Sequence, residues 1–475
     1  MSKTNVSVQV INRWLEETNE NLNIITPIGN DIESVKEVGK IIVDSPNLQN
    51  DFCSWLINRI GKTKIWSSMW ENPLSFANKG LIEYGDSIEE IFVDICRPYQ
   101  YSASVGDREV FRRIQPNIKS AFHIVNTQLF YKSSTAPMDI RKAFLSMDGV
   151  ENLTKRIIGV MITSEAYDTY LLLKYMIAKA ALDGTTNMKN ITAITDKSTA
   201  DAALEVFKEE SNNMEFLSRN FNTLGVANSA TKDRQYLVLT NKAEAKISVQ
   251  SLAYMFGVGL AESENKKIRV DSFSFTDEEI ERIRYALCPK DNATGEPIEE
   301  PTSEDFAVFT SDELTALGNI QAVLLDDEWF QVYTQLFETR YIQNPQNMWE
   351  NNWLHVWKIY SRSPFANCEI FHSNSNSITV AIDDETVPTV TAGTAGSQTI
   401  DVALTFSGLK PKNANNVIWT VANGEGATGK ATIDQNGKLT WTDAYTAADT
   451  ITVTCKSAID NTAYDTATIT VEAAQ

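Results

Sequence analysis

Residues 150–184 read VENLTKRIIGVMITSEAYDTYLLLKYMIAKAALDG. Their apolar side chains at Val150, Leu153, Ile157, Val160, Tyr167, Leu171, Tyr175, Ala178 and Leu182 are separated by three, four or seven positions, which places them on one helical face. Gly184 sits where a C-cap glycine belongs. A continuous helix here would be roughly 50 Å long, far beyond the usual 11–12 residues. The spacing predicts a spine for an extended subunit. The alternative is a pair of ordinary helices broken at Thr163-Ser164-Glu165, with Ser164 as an N-cap.

The rest of the chain is read outward from this spine. Its 475 residues suffice for two to four domains, and 43% hydrophobic with 22% charged content is ordinary for a soluble globular protein. There is no run of about 18 apolar residues, so no membrane span is expected. Met1-Ser2-Lys3-Thr4-Asn5 lacks a signal-peptide core, which predicts a protein made and kept in a cytoplasm. The five cysteines (Cys53, Cys96, Cys288, Cys368, Cys455) form no CxxC pair and read as free thiols. A net charge of −20 argues against broad electrostatic adhesion to nucleic acid or anionic membrane.

Before the spine, Val8, Ile11, Trp14 and Leu15 form a helical stripe. Gly29-Asn30-Asp31 marks a turn, and Ser45-Pro46 starts a helix that Gly61 ends. From Lys62 to Lys132 the helical period disappears. Ile65-Trp66, Ile91-Phe92-Val93 and Phe122-His123-Ile124-Val125 have strand composition. A long β-hairpin or projecting loop is expected, carrying Trp66, Trp70, Phe76 and Tyr84. Those four aromatics either anchor an interface between subunits or fold into a core of their own.

After the spine, residues 186–328 alternate strand and helix signals and suggest a compact α/β module. Ile191–Ile194, Tyr236–Leu239, Ile268–Val270 and Ala322–Leu325 read as strands. Residues 200–217, 249–256 and 276–287 read as helices, the last with a Thr276/Glu279 capping box. Cys288 to Ser311 reads as a surface loop. Trp349, Trp353 and Trp357 recur every fourth residue and are expected to form a core ladder on the spine. From Ser373-Asn374-Ser375-Asn376-Ser377 onward the chain is Thr-, Ala- and Gly-rich with short alternating strands. That composition predicts a linker followed by a separate β-sandwich, with Trp419 as its core tryptophan and a turn at Gln435–Lys438.

The motifs of catalysis do not occur. The three histidines, His123, His355 and His372, have no metal-spaced partners, and no GxSxG, Walker-type or GxGxxG loop is present. His123 and His355 lie in apolar runs, where hydrogen-bonded core histidines are expected. No cofactor or metal is expected, and no catalytic residue is assigned.

Several pieces form a recognisable set. They are Gln49-Asn50-Asp51-Phe52 through Arg59-Ile60-Gly61, Ser87-Ile88-Glu89-Glu90-Ile91, and Gln115-Pro116-Asn117-Ile118-Lys119 with Phe122-His123. Later come Val323-Leu324-Leu325-Asp326-Asp327-Glu328-Trp329-Phe330-Gln331-Val332-Tyr333, His355-Val356-Trp357 and Ser363-Pro364-Phe365-Ala366-Asn367. In this order, over roughly residues 35 to 372, they resemble the major capsid proteins of the short-tailed, phi-29-like phages. Asn416–Val421 and Ile433–Leu439 resemble a bacterial Ig-like group 2 domain.

The resemblance implies an α+β chain with the HK-97-like capsid fold and a C-terminal all-β Ig-like sandwich. Its parts would be an N-terminal arm (1–61), an E-loop (62–110), a peripheral domain (111–185 and 329–372), an axial domain (186–328) and the Ig-like domain (373–475). It implies a virion protein, assembled in the host bacterial cytoplasm, whose copies form pentamers and hexamers of a shell around double-stranded DNA. A scaffolding protein and a portal would assist assembly, and the Ig-like domain would face outward, where it could touch the host surface. The rival is a bacterial surface adhesin or carbohydrate-binding Ig-like protein; against it stand the missing secretion signal and the single Ig-like copy.

Overall fold

The computed structural model describes residues 6–18, 31–45, 48, 51–52, 55, 70–82, 85, 87–98, 113, 115–135, 159–247, 266–291, 296–344, 349–374 and 377–474. The principal helices are α1 (Val6–Thr18), α2 (Ile32–Asp44), α3 (Val160–Leu182), α4 (Lys197–Asn213), α5 (Asp277–Leu287) and α6 (Ser311–Gly318). The chain divides into two compact units. One comprises residues 1–176, 276–308 and 327–363, and the other residues 177–275, 309–326 and 364–475.

In the first unit, the α1 stripe Val8, Ile11, Trp14 and Leu15 is buried as its spacing requires, and Trp14 packs edge-on against Phe52 at 5.3 Å. Asp31 caps α2 by accepting from the Ser34 backbone N–H at 2.8 Å. A four-stranded sheet runs in the order β1 (Asn78–Leu81), β9 (Phe330–Asn344), β10 (Trp349–Arg362), β4 (Thr127–Thr135). β1 joins β9 in parallel, and the other pairings are antiparallel. A separate antiparallel ribbon pairs β2 (Ser87–Val93) with β3 (Ile118–Ile124).

The spine α3 passes through Thr163-Ser164-Glu165 without a break, and Gly184 beyond its end has φ +69°. Residues 136–158 lie outside those described. One apolar stripe understates its burial. Leu171, Leu172 and Leu173 are consecutive and all buried, so the middle of the helix has no solvated side. Polar groups on it must therefore find partners within the protein. Lys174 is fully buried and meets both carboxylate oxygens of Glu279 at 3.2 and 3.3 Å. Glu279 also closes the expected capping box with Thr276. On the other contact, Lys358 of β10 donates to Glu165 and, at 3.0 Å, to Thr169, which also meets the Tyr360 hydroxyl at 3.0 Å.

That arrangement corrects the tryptophan ladder. In β10, Asn352, Leu354, Val356 and Lys358 are buried, as is Ile359 near the strand's end, while Trp353 and Trp357 alternate onto the opposite face and are half-buried. Lys132 of β4 lies over the Trp353 ring at 5.7 Å. The ladder is not the face that meets the spine, because Lys358 occupies it.

In the second unit, a five-stranded sheet runs β5 (Asn187–Asn190), β11 (Cys368–His372), β8 (Ile320–Asp326), β6 (Gln235–Thr240), β7 (Lys267–Val270). α4 covers one face through Ala203, Leu204 and Phe207, with Phe207 at 4.5 Å from Phe371. One expectation fails here. The strand is Asn187–Asn190, and Ile191 and Ile194 are buried coil. Residues 368–372, expected with the peripheral part, pair with β5 and β8. Helix α6 follows directly on the loop expected at 288–311, and the Thr310/Glu313 capping box is its local signal. The helix expected over 249–256 lies outside the described residues.

The same unit contains an all-β portion after residue 376. Three small sheets are formed by β12 (Ser377–Ile382) with β14 (Val402–Ser407), by β13 (Gly396–Thr399), β17 (Lys438–Trp441) and β16 (Ala431–Ile433), and by β15 (Val417–Asn423), β18 (Thr450–Ser457) and β19 (Tyr464–Thr470). They enclose one core containing Trp419, Leu439, Ile451, Val453 and Cys455. Gly437, in the expected turn, has φ +80°, and a Cβ there would lie 2.5 Å from the Ile400 carbonyl oxygen. The Ser/Asn stretch is no free tether at its start. The Ser373 N–H donates to the Asn319 carbonyl at 3.0 Å, and the Asn374 amide donates to the Ala316 carbonyl at 2.9 Å.

The Lys358 network yields a quantitative expectation. Glu165→Leu leaves a buried ammonium without its carboxylate and should cost about 3–5 kcal/mol, whereas Glu165→Leu with Lys358→Met should recover most of that loss. Urea unfolding of the two variants measures the difference. A single variant no less stable than the double would show that the pair does not hold α3.

Candidate assembly surface

The β2–β3 ribbon presents two faces of opposite character. Its register pairs Glu89 with Phe122, Ile91 with Ser120 and Val93 with Ile118, so these residues share one face. On that face Ile91, Val93, Ile118, Phe122 and Ile124 are between 56% and 65% exposed. Ile88, Glu90, Phe92, Ala121 and His123 share the other face, and all are at least partly covered. Five large apolar side chains on one open sheet face, with the opposite face occupied, form a surface ready for a partner.

The inner face is tied down by polar contacts. His123 is buried and bridges two elements, with Nδ1 2.7 Å from the Ser361 hydroxyl of β10 and Nε2 3.0 Å from Glu90 of β2. It is the hydrogen-bonded core histidine that its apolar surroundings suggest. At the corner between β3 and β4, the Asn126 side chain imitates a strand. It donates to the Tyr360 carbonyl at 2.7 Å and accepts from the Tyr360 N–H at 2.9 Å. The approach to the ribbon is also fixed. The Ile82 N–H donates to the Thr334 carbonyl at 2.9 Å, Gln335 donates to the Gly85 carbonyl at 3.2 Å, and Lys79 pairs with Glu328 at 3.3 Å.

The four aromatics proposed as interface anchors behave differently. Trp70 is 39% exposed, with its ring edge-on to Tyr167 at 5.6 Å and to Tyr170 at 5.3 Å on α3. Phe76 is half-buried and meets Phe330 edge-on at 5.9 Å. Both therefore pack on their own subunit. Trp66 and Tyr84 lie outside the described residues. A more open apolar surface sits on β2 and β3. Its signal was present in Ile88-Glu89-Glu90-Ile91-Phe92-Val93, where apolar residues occupy both parities of one strand. A two-stranded ribbon can bury only one of its faces against its own body.

Among the described residues no cluster of three or more His, Cys, Asp or Glu side chains could hold a metal. The arrangement has the means to adhere but shows no group placed for bond-making. Replacing His123 by Ala should leave Glu90 and Ser361 short of a partner and cost about 1–3 kcal/mol. Hydrogen exchange should then quicken over 87–93 and 118–124 while 320–326 stays protected. Uniform quickening along the chain would contradict a local tether.

The family model and the curated relatives agree on one family. The model of the Phi29-like phage major capsid protein family matches residues 12–372. The major capsid protein of Bacillus phage B103 is 26% identical over 462 residues, covering 96% of this chain and 90% of that one. That of Bacillus phage GA-1 is 25% identical over 433 residues, covering 88% and 80%. Among solved structures, the capsid of Staphylococcus phage Andhra is similar with a TM-score of 0.49 and 14% identity, over 66% of this chain and 87% of that one. The family is structural and is not a class of enzymes. Matched by its model from residue 12 to residue 372 of 475, this chain belongs to the phi29-like phage major capsid proteins, the shell-forming proteins of the phage head.

Proposed function

We propose that this major capsid protein builds its shell by laying the outer face of the β2–β3 ribbon on a neighbouring copy. The observation that carries this reading is the row Ile91, Val93, Ile118, Phe122 and Ile124, open to solvent on a ribbon whose other face is anchored through His123. Burying such side chains supplies about 1.5–3 kcal/mol each when complete. Modest contacts suffice, because closed symmetry repeats each one over the whole shell.

On this reading the chain has the HK-97-like arrangement, with an N-terminal arm near 1–61, an extended loop near 62–110, a peripheral domain near 111–185 and 329–372, and an axial domain near 186–328. The strand Cys368–His372 goes with the axial part, because it pairs with β5 and β8. Pentamers and hexamers close around double-stranded DNA, with a scaffolding protein and a portal taking part in assembly in the host cytoplasm. A net charge of −20 suits DNA that is confined rather than gripped.

Residues 373–475 form an Ig-like group 2 domain displayed on the outside, free for contact with the host surface. Support comes from its single all-β core around Trp419. The B103 relative supports its place in a capsid protein, since a match over 96% of this chain cannot omit most of these residues. The adhesin alternative is not favoured, because the family match lies in the preceding 372 residues.

Phe122→Glu together with Ile91→Glu tests the ribbon. The two exposed substitutions should leave folding stability within about 0.5 kcal/mol and stop particle formation under scaffold-assisted expression. Normal heads in negative-stain images from a folded double variant would refute the ribbon contact.

A further inference from the structure

We propose that the cleft between the end of α4 and the β5–β11 edge of the five-stranded sheet is a binding site for a small aliphatic amine, whose ammonium is received by Glu369 and Glu210. The cleft has a volume of about 510 Å³. Glu369 is 1% exposed, and its Oε1 accepts from the Asn187 amide at 3.0 Å. Its Oε2 is buried with no hydrogen-bond partner among the described residues. A buried carboxyl oxygen in that condition is costly, and once ionised it calls for a donor.

The charges around Glu369 select the sign of the guest. Glu210 lines the same cleft and is engaged on both oxygens, by Lys189 at 2.6 Å and by Asn213 at 3.2 Å. Lys189, the single cation of the lining, is 44% exposed on its side chain and can swing outward. The C-terminal end of α4 adds its negative pole nearby. An anion would meet repulsion, and a neutral guest could not compensate an ionised Glu369. Phe216, 72% exposed, and buried Phe221 supply apolar surface for methylene groups and ring faces for an ammonium.

One wall of the cleft is braced from behind. Lys412, in the loop between β14 and β15, donates to the carbonyls of Arg219 and Asn220 at 3.2 Å each and to that of Asn222. Its backbone N–H donates to the Thr186 carbonyl at 3.0 Å, one residue before β5. The wall that carries Ser218, Asn220 and Phe221 is thus fixed before any guest arrives, which lowers the cost of ordering it.

Protonation gives the site a signature. Burial, and then the nearby carboxylates of Glu210 and Glu209, push the Glu369 carboxyl up to about 8, with Lys189 opposing. Asn187, Asn213, Ser218 and Asn220, the other polar lining groups, do not titrate. A raised carboxyl holds its proton at neutral pH in the folded protein and loses it in the unfolded one. Its contribution to stability therefore falls as pH climbs from about 4.5 towards 8. An arriving ammonium favours the ionised form, so binding at pH 7 must expel a proton.

The test is calorimetric titration of the full-length, unassembled chain with 1,4-diaminobutane at pH 7, in buffers of different ionisation enthalpy. Saturable binding with close to one proton released per site is expected, the release vanishing above about pH 9. Glu369→Gln should weaken binding at least about tenfold. Lys189→Met should keep or tighten it, by removing the resident competitor. Lys412→Met, outside the cleft, should weaken it by loosening the wall. Absence of binding, equal affinity in a folded Glu369→Gln variant, or equal affinity for uncharged 1,4-butanediol would each overturn the proposal. None of these outcomes bears on the ribbon contact, which lies on other residues.

Discussion

Burying the Lys358 ammonium against Glu165 and Thr169 of the spine commits β10 to a single orientation. A strand shows alternate residues to opposite sides, so a slip of one position would bury Trp357 and expose the lysine. With Lys358 and Tyr360 turned to α3, Ser361 is turned the other way, where it receives His123 of the ribbon. β10 also carries β4 along nine consecutive pairs, from Glu350–Thr135 to Lys358–Thr127, and Asn126 seals the corner where β4 gives way to β3. The direction of the ribbon therefore depends, through one strand, on a buried ion pair at the spine. A buried pair is weak evidence for added stability, but its partners cannot be separated cheaply. That suits a subunit that must present the ribbon the same way in every copy.

Much of the secondary structure was legible because its signals are local. The α1 stripe, the Thr276/Glu279 capping box and the glycine turns at Gly184 and Gly437 each follow from a few adjacent residues. Other elements depend on partners far along the chain. Asn187–Asn190 is polar and forms a strand only because β11, some 180 residues later, offers it an edge. Ile191 and Ile194 look like a strand but are buried as coil under α4. The tryptophan ladder failed for the same reason. Spacing put Trp353 and Trp357 on one face, but which face met the spine was decided by the charge on Lys358 and its carboxylate in α3.

The exposed apolar face of the ribbon is legible in the sequence as a region but not residue by residue. Loss of helical period after Lys62 marks the stretch that contains the ribbon, and bulk aromatic content points to Trp70 and Phe76. Both satisfy themselves within their own subunit, on Tyr167 and Tyr170 and on Phe330. The open face uses Ile91, Val93, Phe122 and Ile124, which have β-strand composition and would pass as ordinary core in any list of hydrophobic residues. Only the cross-strand register, with Ser87 opposite Ile124 and Val93 opposite Ile118, reveals that they stand together on the uncovered side.

A cryo-electron microscopy map of heads assembled from this chain, at a resolution that shows side chains, tests the account most directly. The proposed ribbon contact requires density from a neighbouring subunit to cover Ile91, Val93, Phe122 and Ile124 while His123 keeps its contacts with Glu90 and Ser361. A map in which that face remains open to solvent in every copy, or in which the ribbon has turned over to bury it on its own subunit, would contradict it.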